Sequence, residues 1–150
     1  HGDEHLIQDI EAYRTKNGLD ENVELLGYQS NIYDYLSNSD LMIVPSIAEG
    51  FGLIFLEALN AKLPIIGFKV PATDEIVIHQ KTGFLIKPFM IDDMATAIIS
   101  LLNDPGRRAE LAEAGYQRLK DYFSLDRMIT ETIQFYQSAL DSYNNTDRSK

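Results

Sequence analysis

Residues 41–61 pass from an apolar run, through two closely spaced glycines, into an amphipathic stretch, and this handover constrains the fold more than any other part of the chain. Leu41-Met42-Ile43-Val44 is short, wholly apolar and closed by Pro45, the pattern of a strand buried on both faces of a parallel sheet. Beyond Gly50 and Gly52, apolar residues fall at Leu53, Phe55, Leu56, Ala58 and Leu59, a broad helical face. The same alternation continues on either side. Helix is predicted over residues 4–16, stopped by Asn17-Gly18, with strand over 23–26 and a helix through Leu36 behind Ser30 or Asn31. Strand 41–44 and helix 53–61 lead to strand 64–68, a brief helix over 73–79, a turn at 81–83 and strand 84–86. Helices over 91–102, 105–122 and 125 to about 143 finish the chain, the second with Pro105 in its first turn and the third behind a Ser124 cap. Strands alternating with helices at this spacing predict an α/β fold, a parallel sheet with helices on both faces and a run of C-terminal helices. Residues 144–150 are polar and are expected to form a disordered tail.

The junction also carries the clearest chemistry. Residues 49–57 read E-G-F-G-L-I-F-L-E, with a glycine pair between two carboxylates. Glycine lets the backbone approach a ligand closely, and the first amides of a helix, with its dipole, favour an anion. Glu49 in the loop and Glu57 about one turn into the helix can each accept hydrogen bonds from hydroxyl groups. Taken alone, the pair reads more simply as a solvated loop acid and a helix-surface acid. In open parallel sheets ligands bind at the carboxyl ends of strands, which marks three loops: 46–52, 68–73 and the turn near Gly27.

Composition narrows the function classes. At 150 residues, 45% hydrophobic and 24% charged, the chain suits one domain with a real core. A net charge of −10 argues against nucleic acid or an anionic membrane as partner. Any phosphate site must then be local, built from backbone amides and a few cations. Cysteine is absent, so there is no disulfide, thiolate nucleophile or cysteine metal site. No apolar run approaches the roughly 18 residues that span a bilayer, and a cytoplasmic location is expected, peripheral at the membrane in an intact protein. His1, Asp3, Glu4 and His5 invite a metal reading, but a cluster at a chain end is more simply surface, and no metal site is assigned. His79 is read as a surface residue. The aromatics Tyr116, Tyr122, Phe123, Phe135 and Tyr136 are read as helix packing rather than a base-stacking platform.

The stretch over residues 44–64, V-P-S-I-A-E-G-F-G-L-I-F-L-E-A-L-N-A-K-L-P, resembles the donor-binding signature of the retaining glycosyltransferases of family 4, which have the GT-B fold. The likeness extends upstream to N-V-E-L-L-G at residues 22–27 and the segment 36–40, and downstream to T-G-F-L-I at 82–86, covering about residues 2–140. It implies a Rossmann-like half of a GT-B fold over residues 1–143. It also implies that the domain's first strand and helix, with an Arg and a Lys that neutralise the diphosphate, and an acceptor-binding N-terminal domain lie outside this chain. On the resemblance, Glu57 holds the nucleotide ribose and Glu49, the catalytic candidate, contacts the transferred sugar. Gly50, Phe51, Gly52 and Leu53 present amides to the sugar or diphosphate. Ala72 and Thr73 lie in the loop near the donor, and Glu75 is a further candidate. Neither cofactor nor metal is implied beyond the nucleotide-sugar itself, with a UDP-sugar as the first expectation and a saccharide or lipid-linked acceptor.

The chain departs from that pattern at two places. Pro71 and Ala72 stand where many members have paired glycines, and Pro71 has no amide proton to give. Lys62 stands where a glycine often closes the motif helix. It either adopts a strained left-handed backbone or continues the helix. These departures keep a second expectation open, a nucleotide-sugar-binding or partner domain without chemistry. A flavodoxin-like or receiver-like domain with a chance motif is a third. The final helix, lacking the other domain, is expected to expose an apolar face and promote self-association.

Overall fold

A computed structural model describes residues 4–147. Their contacts divide the chain into two compact units, His1–Ile32 and Tyr33–Lys150, where one domain over 1–143 is expected.

In the first unit, α1 (Glu4–Lys16) ends as predicted at Gly18, whose φ of 65° is the left-handed stop. The Gly18 amide donates to the Thr15 carbonyl at 3.1 Å and the Leu19 amide to Arg14 at 3.0 Å, the two bonds of a Schellman cap. Arg14 folds over the turn that follows, 3.2 Å from Asp20 and donating to the Val23 carbonyl at 3.2 Å. The predicted strand at 23–26 is not formed. A strand exists through a ladder with a neighbour; the Val23 amide instead donates back to the Leu19 carbonyl at 2.9 Å, and Val23, Leu25 and Leu26 are 38–40% exposed.

The second unit holds the sheet. Strands β1 (Met42–Val44), β2 (Ile65–Phe68) and β3 (Gly83–Ile86) run parallel in the order β1-β2-β3, with Met42 opposite Ile65 and Ile65 opposite Gly83. Helix α2 (Ile32–Ser37) precedes β1, α3 (Leu53–Asn60) links β1 to β2, and the single turn α4 (Thr73–Ile76) lies between β2 and β3. Helices α5 (Ile91–Leu102), α6 (Pro105–Tyr122) and α7 (Leu125–Asp147) follow.

Every residue of β2 is buried, and its side chains alternate between two cores as a period of two demands. Ile65 joins Phe55, Ala58 and Leu59 of α3 with Ile76, Val77 and Leu85. Ile66 and Phe68 join Met94, Ala97 and Leu101 of α5 with Leu111 of α6. Helices therefore cover both faces, as the sequence predicts, and α6 contributes to both layers. It approaches α3 closely at Gly115, where a Cβ would lie 2.7 Å from the Leu59 Cδ2 atom.

Helix boundaries follow local chemistry. Asp104 accepts from the Arg107 amide at 2.8 Å behind Pro105, and Ser124 from the Arg127 amide at 3.4 Å, so both expected starts are capped. Helix α3 closes with a second Schellman cap: Lys62 donates to Leu59 at 3.1 Å and Leu63 to Ala58 at 2.9 Å. Lys62 sits at φ 53° and so adopts the left-handed alternative, with its ammonium 2.6 Å from Glu113 and 4.7 Å from the Tyr116 ring centroid. Helix α4 stops at Ile76 rather than 79 because β-branched Val77 turns extended, with φ −102° and ψ 121°. Helix α7 continues past Tyr143 to Asp147; no glycine or proline interrupts residues 144–147. Residues 148–150 of the expected tail lie outside the described residues. Along α7, Leu125, Ile129, Ile133, Tyr136, Leu140 and Tyr143 recur at three- and four-residue spacing and are all exposed.

Candidate active site at the carboxyl ends of two strands

The loops after β1 and β2 leave the same end of adjacent parallel strands. The first carries residues 46–52 and the second residues 69–72. The turn at Gly27 belongs to the first unit.

Gly52 ends the first loop as the N-cap of α3, with φ 80° and ψ 53°. A Cβ there would lie 2.8 Å from the Phe55 ring, so both the backbone and the packing require glycine. No side chain caps α3, and its internal ladder begins with the Phe55 amide donating to the Gly52 carbonyl at 3.0 Å. The amides of Leu53 and Ile54 precede that ladder, leaving the helix start available to an anion or a hydroxyl oxygen. Gly50 is exposed, and Phe51 is half exposed with its ring edge-on to Phe123 at 6.4 Å.

On α3, Phe55, Ala58 and Leu59 face the core, while Leu53 (67% exposed) and Glu57, one turn apart, share the solvent face. Glu49 is half-buried. Neither carboxylate has a hydrogen-bonding or ion-pairing partner among the described residues, so both are open to ligand hydroxyls. At the far end of α3, Lys62 donates a hydrogen bond to the Glu113 carboxylate, which raises the ammonium above its ordinary value of 10.5.

The second loop is a tight turn. The Thr73 amide donates to the Val70 carbonyl at 3.1 Å, with Pro71 and Ala72 as the two central residues and φ 74° at Ala72. Proline at the first position and a positive φ at the second have the character of a type II turn, whose second central residue is usually glycine. The proline and the strained alanine thus hold a backbone shape that glycine would adopt freely. Thr73 is buried, and its hydroxyl is committed to the loop itself: it accepts from the Val70 amide at 3.0 Å, with the Phe68 and Val70 carbonyls at 2.9 and 2.8 Å as acceptors for its one proton. Its side chain shapes the loop rather than facing solvent. Glu75 is exposed, with its carbonyl bound by Arg118.

The sequence does not single out Arg118, and it reads Phe123 as helix packing and His79 as a surface residue. His79 is exposed, yet its Nδ1 accepts from the Leu85 amide at 3.0 Å, bracketing β3. Beside the motif, a mostly apolar cavity of about 280 Å³ opens among Phe51, Leu53, Leu56, Tyr122, Phe123 and Met128, with Ser124 and the paired Arg127 and Glu131 also lining it. No cluster of three metal-ligating side chains occurs among the described residues, and His1 and Asp3 of the terminal metal reading lie outside them. No helix among the described residues is long and apolar enough to cross a membrane.

Comparison with known proteins places this geometry. Residues 2–118 match the family model described as glycosyl transferases group 1. The N-acetyl-alpha-D-glucosaminyl L-malate synthase of Bacillus anthracis is 30% identical over 122 residues, covering 81% of this chain and 32% of that protein. Sucrose-phosphate synthase from Thermosynechococcus elongatus superposes with a TM-score of 0.83 at 27% identity, over 90% of this chain and 34% of the other. A mutant of S. aureus TarM, in complex with fondaparinux, alpha-GlcNAc-glycerol and UDP, gives 0.81 at 26% identity, over 85% and 26%. The chain thus spans about a third or less of the length of each of these proteins.

Proposed function

The chain belongs to the group 1 glycosyl transferases, and from that membership we propose that it is the donor-binding part of an enzyme moving a sugar from a nucleotide-sugar to a saccharide or lipid-linked acceptor. The observation that carries this reading is the uncapped start of α3 behind Gly52, flanked by the two unpartnered acids Glu49 and Glu57. Glu57 holds the ribose hydroxyls. The amides at Phe51, Gly52 and Leu53, with Gly50 allowing close approach, receive the sugar or diphosphate. Glu49 contacts the transferred sugar beside the reacting bond, where a positioned acceptor strengthens as charge develops. The backbone of Ala72 and Thr73 borders the donor from the second loop, and exposed Glu75 follows it.

Transfer retains the anomeric configuration and uses no metal: the bond from the anomeric carbon to the diphosphate oxygen breaks, one to the acceptor oxygen forms, and the acceptor hydroxyl's proton passes to the departing diphosphate. UDP in the TarM complex supports uracil as the base. Two partners belong to this reading, an acceptor-binding half and a second copy meeting the apolar face of α7. A binding-only domain is the alternative, favoured by the amide that Pro71 lacks.

Titration of the chain with UDP, ADP and GDP separates these. Binding selective for UDP, with transfer once an acceptor-binding half is supplied, is the expected result. Binding without transfer would favour the alternative, and no binding at millimolar nucleotide would contradict both.

A further inference from the structure

From its contacts we infer that Arg118 is a positioning residue that ties the two site loops to one another through α6; its bearing on donor binding rests on the reading above. The Arg118 Nε donates to the Ile76 carbonyl at 2.8 Å and a terminal nitrogen to the Glu75 carbonyl at 2.5 Å. These carbonyls end the single turn of α4, and no continuing helix supplies amides to donate to them. The planar fork satisfies two of them at once, which a lysine ammonium cannot reproduce.

The same guanidinium lies 4.9 Å from the Tyr122 ring centroid and 5.5 Å from that of Phe123, within cation–π range. Phe123 in turn meets Phe51 of the first loop edge-on. One side chain therefore reaches α4 through hydrogen bonds and the motif loop through a ring. Gly115, one turn earlier on α6, brings that helix against Leu59 of α3, so the bridge is anchored on the layer beneath the motif. Loosening Arg118 should release both loops while leaving the sheet intact.

Amide hydrogen exchange on the whole chain tests this in Arg118→Lys, Arg118→Met and Phe123→Leu. Three reporters are available: Phe55 for the first loop, and Thr73 and Val77 for the second, with amides donating to Gly52, Val70 and Thr73. Both Arg118 variants should speed all three by about tenfold or more while the β2 amides hold their rates. Phe123→Leu should speed Phe55 alone. UDP affinity should fall by about fivefold or more in Arg118→Lys, which keeps the charge and loses the fork. Acceleration at Val77 only, equal acceleration through β2, or, where the wild-type chain binds UDP, an unchanged UDP affinity in Arg118→Lys would overturn the inference. The expected exchange pattern in a wild-type chain that binds no UDP would keep the bridge and remove the donor reading.

Discussion

Phe55 Cδ2 lies 2.8 Å from where Gly52 would carry a Cβ, at a backbone φ of 80°. Gly52→Ala therefore meets two penalties at once, a left-handed conformation and an overpacked ring. The expected loss is about 2 to 4 kcal/mol of stability, measured by urea denaturation, with nucleotide binding lost alongside. A loss within experimental error would mean that the loop is not held as described.

Ala72 poses the opposite case. Its φ of 74° strains an alanine and suits a glycine, so Ala72→Gly should stabilise the fold by about 1 kcal/mol after the greater chain entropy of glycine is counted. A rise of a few degrees in Tm is the expected readout. An equal or lower Tm would show that the turn is not strained.

Thr73 separates shaping from binding. Thr73→Val keeps the shape and removes the hydroxyl, leaving the Val70 amide and a backbone carbonyl without their partner. The expected cost is about 1 to 3 kcal/mol, and Thr73→Ser should restore most of it. If Thr73→Val weakened nucleotide binding with stability unchanged, the hydroxyl would be a ligand contact instead.

The Lys62–Glu113 pair gives a pH dependence of known sign. Its hydrogen bond raises the Lys62 pKa in the folded state, so its stabilisation is fully present below the unfolded value and is lost as pH rises through the folded one. Both side chains are solvent-exposed, which keeps the effect small and salt-sensitive. The Tm difference between the chain and Glu113→Gln should be measurable at pH 8 and should shrink as pH rises past the ordinary Lys62 value of 10.5. A difference that grew with pH would contradict the assignment.

Much of this was legible in the sequence because it depends on local pattern. Runs such as Ile65-Ile66 and Phe84-Leu85-Ile86 read directly as strands, and Pro105 and Ser124 mark helix starts. Gly50 to Leu53 were placed at a strand-to-helix junction by spacing alone. What was not legible depends on partners distant along the chain. Val23-Glu24-Leu25-Leu26 has a strand's composition, but composition supplies no neighbour to pair with. Arg118 binds carbonyls 42 and 43 positions away, and nothing around it distinguishes it from a solvated helix arginine. Ala72 hides a left-handed backbone behind a residue that rarely adopts one. That the Thr73 hydroxyl is committed to shaping its own loop shows only in its three hydrogen-bonding distances.

The central claim is that the exposed carboxylate of Glu57 binds the donor's ribose. Calorimetric titration with UDP of the chain and of Glu57→Ala tests it most directly. The account predicts a measurable Kd for the chain and about 5- to 150-fold weaker binding in the variant, corresponding to the roughly 1 to 3 kcal/mol of hydrogen bonding removed. Equal affinity in the two proteins would take Glu57 out of the site and contradict the account.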